Sequence, residues 1–228
     1  ALAAVAYFNI TRSRALTGFI RGVVFQEVEQ QAENLLSKTV NDSATDANFF
    51  FETVADDVSI VTNYVANLLA QEQVLGSGDY WNAQENLIQL PENQWGNSAD
   101  DPGSVLAPSS FELTDKSASE INTAMLLDLV APQTLATNPN LKALYYVNPD
   151  GVLTYYPNSD LANTLGDYDA RTRPYYLAVT PDINPAKEDF WTVPYFDAAN
   201  KGLIETNSQP VYDEAGNFRG AVAANVDI

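Results

Sequence analysis

The sequence runs to 228 residues, 46% of them apolar and 18% charged, enough to fold around a core as one large domain. Eleven Lys and Arg stand against 30 Asp and Glu, a net charge of −19, which argues against nucleic acid as a partner because phosphate binding needs a cationic face. Histidine and cysteine are both absent, so Ser-His-Asp and Cys-His catalysis, His/Cys zinc sites, haem ligation through His and disulfides are excluded, and no cofactor is implied.

The first eight residues, Ala1 to Phe8, are apolar but too few to cross a bilayer. They are expected to be either the outer end of a transmembrane helix or an ordinary helix start. Residues 1–38 carry Arg12, Arg14, Arg21 and Lys38 against three acids, net +1, whereas residues 39–228 carry seven bases and 27 acids, net −20. A near-neutral start before an acidic body fits an N-terminus held near a membrane. From Ala15 to Gln73 there is no Pro, and no Gly after Gly22. Apolar residues recur at Ala47, Phe50, Val54, Val58, Val61, Val65 and Leu68, a heptad spacing that Leu16, Phe19, Val23, Val28, Ala32, Leu35 and Thr39 continue loosely upstream. The pattern predicts a stalk helix over 1–75, ended by Gly76-Ser77-Gly78, with two shorter helices broken near Asn41–Ser43 as the alternative.

Residues 79–116 hold Trp81, Trp95, Pro91, Pro102 and Pro108 and read as a long irregular loop. Ser117-Ala118-Ser119-Glu120 has the form of a capping box and opens a predicted helix that runs to about Thr137. Strand patterns follow at 142–148 and 152–156 about the turn Pro149-Asp150-Gly151, then at 190–195, 203–212 and 218–228. Helices first and an antiparallel meander of about five strands afterwards make the fold class α+β, since no βαβ alternation occurs.

The densest chemical cluster is Asp167-Tyr168-Asp169-Ala170-Arg171-Thr172-Arg173-Pro174-Tyr175-Tyr176. It places two of the acidic body's seven bases two residues apart among three tyrosines. An Arg fork matches a carboxylate with two parallel hydrogen bonds, and tyrosine hydroxyls complete such a shell. The plain alternative is that Arg171 pairs with Asp167 or Asp169 and merely orders a loop. A second aromatic cluster, Trp191-Thr192-Val193-Pro194-Tyr195-Phe196-Asp197, lies downstream. Asp167 with Asp169, and Asp100 with Asp101, are candidate calcium oxygens, although no run matches an EF-hand loop.

From Tyr145 onward the chain resembles the double Cache sensor family, the PAS-like extracellular ligand-sensing domains of bacterial histidine kinases, chemoreceptors, cyclases and phosphatases. The segments that carry the resemblance are Asp150-Gly151 with Tyr155-Tyr156-Pro157, the run Asp169 to Tyr176, the run Trp191 to Asp197, Gly202 to Thr206, Pro210 to Asp213, and Gly216 to Ala224. The resemblance implies a PAS-like (Cache) sheet with flanking helices over 76–228, the membrane-distal, ligand-binding module. The stalk leads to it, and the family's membrane-proximal module and output domain are missing from this chain. Where the ligand is an amino acid, the resemblance implies that Arg173 and the position of Tyr175 hold the carboxylate. Tyr168 and Tyr195 line the pocket, and Tyr176 helps bind the ammonium. Two positions depart from that pattern: Tyr175 stands where the family has Trp, and Asn225 where it has Asp. An amide in place of a carboxylate cannot neutralise an ammonium, which leaves Asp197 as the candidate cation partner and Arg173 as the anchor for a carboxylate or other small polar metabolite.

The ligand-binding set expected is therefore Tyr168, Arg173, Tyr175, Tyr176, Trp191, Tyr195, Asp197 and Asn225, with no catalytic and no metal-ligating residue. The expected function is that of a non-enzymatic periplasmic or extracellular sensor at the inner membrane, dimeric through its stalk helix, for a small carboxylate or amino-acid-like molecule. A calcium-dependent surface lectin or adhesin is the alternative. A carboxylate hydrolase built on Asp167 and Asp197, or a coiled-coil spacer, fits less of the sequence.

Overall fold

A computed structural model describes residues 2–199 and 202–227, with side-chain surroundings from residue 12 onward, Ala15 excepted. The expectation of a membrane-helix end at 1–8 falls on side chains outside that set. Among the described residues no helix is long and apolar enough to cross a membrane.

The helix α1, Leu2–Ala70, is 69 residues long and runs unbroken through Asn41–Ser43, so the two-helix alternative does not hold. It is followed by α2 (Glu72–Leu75), α3 (Ala83–Asn86), β1 (Ile88–Gln89), β2 (Trp95–Gly96) and β3 (Ser104–Ala107). Next come α4 (Asp115–Ala124), a 3-10 turn (Met125–Leu129), α5 (Ala131–Thr137), β4 (Leu141–Val147) and β5 (Leu153–Tyr156). The last part comprises α6 (Leu161–Leu165), a 3-10 turn (Ala170–Thr172), α7 (Pro174–Leu177), β6 (Phe190–Trp191), β7 (Tyr195–Phe196), β8 (Leu203–Tyr212) and β9 (Phe218–Asp227). The fold is α+β, a long N-terminal helix with an antiparallel sheet flanked by helices.

The chain divides into two compact units, residues 1–51 and 52–228. In the first, the upstream stripe is solvent-exposed: Leu16, Phe19, Val23, Val28 and Leu35 all show large apolar surface. In the second, the heptad stripe becomes core, with Val54, Val58, Val61 and Val65 fully buried. Each buried valine is worth about 1.5–3 kcal/mol of transfer free energy. Polar straps hold this stretch of helix to its own unit. Gln209 Nε2 of β8 donates to Ala55 O at 3.1 Å, Asn138 Nδ2 to Asp57 Oδ2 at 2.7 Å, and Tyr64 OH to Leu126 O at 3.1 Å.

Among the described residues nine strands form one sheet in the order β1-β2-β3-β5-β4-β9-β8-β6, with β7 also on β8. The expected count of about five is corrected in two places. The stretch 190–195 is two separate two-residue strands on the β8 edge, split where Pro194 removes a ladder donor. The predicted loop 79–116 contains three strands, and Ser104–Ala107 pairs with β5 as Ser104↔Tyr155, Val105↔Thr154 and Leu106↔Leu153. That strand is buried on both faces, so it lacks the alternation that marks a half-exposed strand. Its approach is fixed by Asn97, whose Oδ1 accepts from Val105 N at 2.6 Å while its Nδ2 donates to Gly103 O at 2.9 Å.

The capping box is also displaced. Thr114, not Ser117, caps α4: its Oγ1 accepts from Ser117 N at 3.2 Å and its own N–H donates to Ser117 Oγ at 2.8 Å. Glu120 is free for another task. It is buried beside Arg219, 3.5 Å from the guanidinium, and accepts from Asn148 Nδ2 at 3.2 Å. Burial raises its pKa despite Arg219.

The two faces of the sheet do different work. Tyr146 and Gln209 point toward α4 and α1, whereas Tyr145, Tyr155, Ala143, Ala221 and Ala223 face the opposite layer built from α6, α7 and the 3-10 turn before it. The register sets Tyr145 opposite Ala223, and Ala143 opposite Asn225. Alanines beside large rings leave room on that face.

Gly220, next to the start of that row, has φ +126°, and a Cβ there would strike Val147 O. Gly216 also has positive φ but open space around it. Gly220→Ala is expected to destabilise by more than about 2 kcal/mol and Gly216→Ala by only about 1 kcal/mol, read from urea denaturation midpoints at constant m-value. Equal effects would show that the backbone contact at Gly220 carries no strain.

Candidate functional site

A narrow cavity opens on the alanine-lined face of the sheet. Its walls include Tyr145 and Tyr155 from β4 and β5, Asn225 from β9, Tyr168, Arg173 and Tyr175 from the 168–177 segment, and Tyr195 with Asp197 to Ala199. Leu153, Leu161 and Leu165 supply the apolar part. The side chains leave about 30 Å³ for the centres of water molecules, inside roughly 370 Å³ of empty space that includes the mouth. That is room for only a few waters.

Six of the eight expected ligand-binding residues meet here: Tyr168, Arg173, Tyr175, Tyr195, Asp197 and Asn225. Tyr176 and Trp191 do not line this cavity. Successive residues of a helix point about 100° apart, so in α7 Tyr175 faces Tyr145 edge-on, with ring centroids 5.3 Å apart, while Tyr176 turns to Phe218 at 6.0 Å. Trp191 sits on the short edge strand β6, in register with Asn207. Arg171 takes the plain alternative: its guanidinium grips Asp169, with Nη2–Oδ2 at 2.8 Å and Nε–Oδ1 at 2.9 Å, and only orders the loop. The candidate calcium oxygens are engaged as well. Asp167 accepts from the Ser109 N–H and hydroxyl at 2.8 and 2.7 Å, and Asp101 Oδ2 accepts from Asn97 Nδ2 at 2.8 Å.

Three hydroxyl-bearing residues of the site carried no expectation as ligand-binding residues. Tyr145 and Tyr155 are cross-strand partners and stack at 5.4 Å. Counting back in twos from the Pro149-Asp150-Gly151 turn puts both on one face, which is the signal available for them. Thr206 had none; it lies opposite Asn225 in the β8–β9 ladder.

Thr206 and Asn225 organise the floor. Tyr145 OH donates to Asn225 Oδ1 at 2.9 Å and Thr206 Oγ1 donates to the same atom at 2.8 Å. Thr206 has a single hydroxyl proton and has spent it, so the 2.7 Å contact between Tyr195 OH and Thr206 Oγ1 has Tyr195 as the donor. The hydroxyl protons of Tyr145 and Tyr195 are thereby both directed into the sheet. Burial raises the phenol pKa of Tyr145, Tyr155, Tyr175 and Tyr195, so these groups stay protonated hydrogen-bonding hydroxyls.

Two opposite charges complete the walls. The Arg173 guanidinium lies 5.6 Å from the centre of the Tyr168 ring, and the Tyr168 and Tyr175 hydroxyls touch at 3.1 Å. Burial first, and the charge of Asp197 after it, raises the pKa of Tyr155, Tyr168 and Tyr195. Arg173 Nε and Asp197 Oδ2 are both buried without a hydrogen-bond partner. A buried unpaired donor or acceptor costs about 1–3 kcal/mol.

No protein-family model matches the chain, and no curated protein does. Among solved structures it is similar to the ligand-binding domain of Mlp24 with asparagine, at 25% identity and TM-score 0.36, over 44% of this chain and 38% of that one. It is similar to the ligand-binding domain of the Pseudomonas fluorescens chemoreceptor CtaA in complex with L-serine, at 23% identity and TM-score 0.37, over 47% of this chain and 41% of that one. It is also similar to the ligand-binding domain of the Pseudomonas aeruginosa PAO1 amino acid chemoreceptor PctB in complex with L-Arg, at 29% identity and TM-score 0.34, over 41% and 36%. The chain spans about two fifths of the length of these structures.

Thr206→Val keeps the volume of a fully buried side chain but removes two of the three bonds of the floor network. It is expected to destabilise by about 1–3 kcal/mol in urea unfolding, and Tyr195→Phe by about 1 kcal/mol. A neutral Thr206→Val would mean that the hydroxyl relay does not hold the floor.

Proposed function

We propose that this chain is the ligand-binding part of a sensory receptor and that the cavity takes a small zwitterion, a molecule carrying one carboxylate and one ammonium group. The observation that carries the reading is the pair of unpartnered buried atoms, Arg173 Nε and Asp197 Oδ2, in the wall of one cavity. A carboxylate accepts from Arg173, with the Tyr168 and Tyr175 hydroxyls beside it. An ammonium donates to Asp197, in a wall that the Tyr145 and Tyr195 side chains share. Asn225 does not hold the ammonium by charge. Its amide oxygen takes the Tyr145 proton directly and orders the Tyr195 hydroxyl through Thr206, and the negative charge stands on Asp197 instead.

The rest of the receptor reading follows from the helix. Entry of a ligand into so tight a cavity shifts the wall, and the sheet carrying that wall is tied to α1 through Gln209 of β8, with the residue after α5 and the 3-10 turn tied to it through Asn138 and Leu126. A ligand that prefers one arrangement of these contacts shifts the population of helix positions by its differential affinity. We place the cavity outside the cytoplasm, the helix leading to a membrane, and a second copy of the chain along the exposed apolar stripe from Leu16 to Leu35. In this reading the chain binds and transmits, and it performs no reaction.

Calorimetric titration with the standard α-amino acids tests the site. With whichever of them binds, Arg173→Ala and Asp197→Asn are each expected to weaken affinity at least about tenfold, the loss of one charge-assisted hydrogen bond. Affinities within twofold of the wild type in both variants would place the ligand elsewhere.

A further inference from the structure

A second buried charge lies behind the cavity. Asp128, in the 3-10 turn after α4, is only 6% exposed, and neither of its carboxylate oxygens has a hydrogen-bond partner. The other deeply buried acid, Glu120, has Arg219 beside it; Asp128 has no basic neighbour among the described residues. Its Oδ1 fits only because residue 103 is glycine: a Cβ at Gly103 would lie 2.5 Å from that oxygen and 3.2 Å from Tyr155 O. Gly103 leads into β3, whose first residue pairs with Tyr155, and the Tyr155 ring lines the cavity on the other side.

The groups around Asp128 can be taken element by element. From the 97–103 loop comes the charge of Asp101, and from the segment after α2 the phenol of Tyr80, whose pKa burial raises first and Asp128 second. From α1 comes Tyr64, whose hydroxyl donates to Leu126 O. Strand β5 offers the Tyr155 backbone, α5 has no titratable side chain, and α4 turns its Glu120 toward Arg219 and Asn148. The Gly103 N–H lies close enough to temper the effect of burial but makes no well-formed bond to the carboxylate.

A hard cation fits poorly here. The loop carbonyls that would complete an oxygen cage already accept from amides: Gly103 O from Asn97 and Asn158 at 2.9 and 3.0 Å, and Asp101 O from Asn158 at 2.8 Å. A proton needs no cage.

We propose that Asp128 is a proton-binding site coupled to the cavity: its carboxyl is neutral in the tightly packed fold, and its ionisation loosens the β3–β5 pairing on which Tyr155 stands. Burial first, then the charge of Asp101, pushes the Asp128 pKa from 3.8 up to about 6. The sign follows from a folded-state pKa above the unfolded one. The ionised form costs stability in full above about pH 6, and the cost fades as pH falls toward 3.8. By linkage, anything that fastens Tyr155 in place raises the proton affinity of Asp128 by the same factor. The proton site stands on its own geometry; only the identity of what it regulates rests on reading the cavity as a ligand site.

The test needs no ligand. Backbone amide resonances of Gly103, Ser104 and Tyr155, followed by NMR from pH 4 to 8, are expected to titrate with a midpoint near 6, to lose that midpoint in Asp128→Asn, and to titrate at lower pH in Asp101→Asn. Melting temperature supplies a second readout: Asp128→Asn is expected to gain roughly 5 °C at pH 8 and about a third of that at pH 4.5. A midpoint near 4, or an Asp128→Asn variant no more stable than wild type at pH 8, overturns the proton site. A midpoint near 6 at Gly103 that leaves Tyr155 unmoved overturns its coupling to the cavity. Calcium-induced stabilisation at pH 8 that vanishes in Asp128→Asn makes it a cation site instead.

Discussion

The cavity depends on where one amide oxygen spends its two lone pairs. Asn225 Oδ1 accepts from Tyr145 and from Thr206, and Thr206 in turn accepts from Tyr195. Each bond is modest alone, about 1 kcal/mol net, but in a closed, low-dielectric site the set fixes the direction of every hydroxyl proton it touches. Reversing one of them would turn an acceptor toward an acceptor somewhere in the chain. The result is a floor whose hydroxyl protons point into the sheet, beneath walls in which one atom of Arg173, Nε, and one of Asp197, Oδ2, are buried without a hydrogen-bond partner.

The two faces of the sheet divide the labour. The face toward α1 and α4 is a dense aliphatic core, with the valines of α1 from Val54 to Val65 at its centre. The opposite face alternates alanines with tyrosines, which opens space and fills its rim with polar atoms. Asp128 lies on the turn after α4 and Tyr155 on the strand beside it, so the proton site and the cavity share one ladder.

Much of this was legible in the residues. The proline-free heptad run marked the long helix, the Pro149-Asp150-Gly151 turn marked the β4–β5 hairpin, and the tyrosine-flanked Arg173 marked the cavity. What escaped did so for local physical reasons. Ser104–Ala107 is buried on both faces, so it shows no alternation, and its approach is built by the side chain of Asn97 and not by turn residues. Thr206 is an ordinary strand threonine until the register sets it against Asn225. Tyr176 lies off the cavity because adjacent tyrosines in one short helix face different ways. Asp128 could not be singled out, since its loneliness is a property of the packing around it.

Thermal melting of the chain against three ligand classes tests the central claim most directly: α-amino acids, carboxylates lacking an amine, and amines lacking a carboxylate. Saturating ligand raises the melting temperature by mass action. The account predicts stabilisation by zwitterions and little or none by either singly charged class, because each of those leaves Arg173 or Asp197 unpaired. Equal stabilisation by amine-free carboxylates would contradict it, leaving Asp197 without a role.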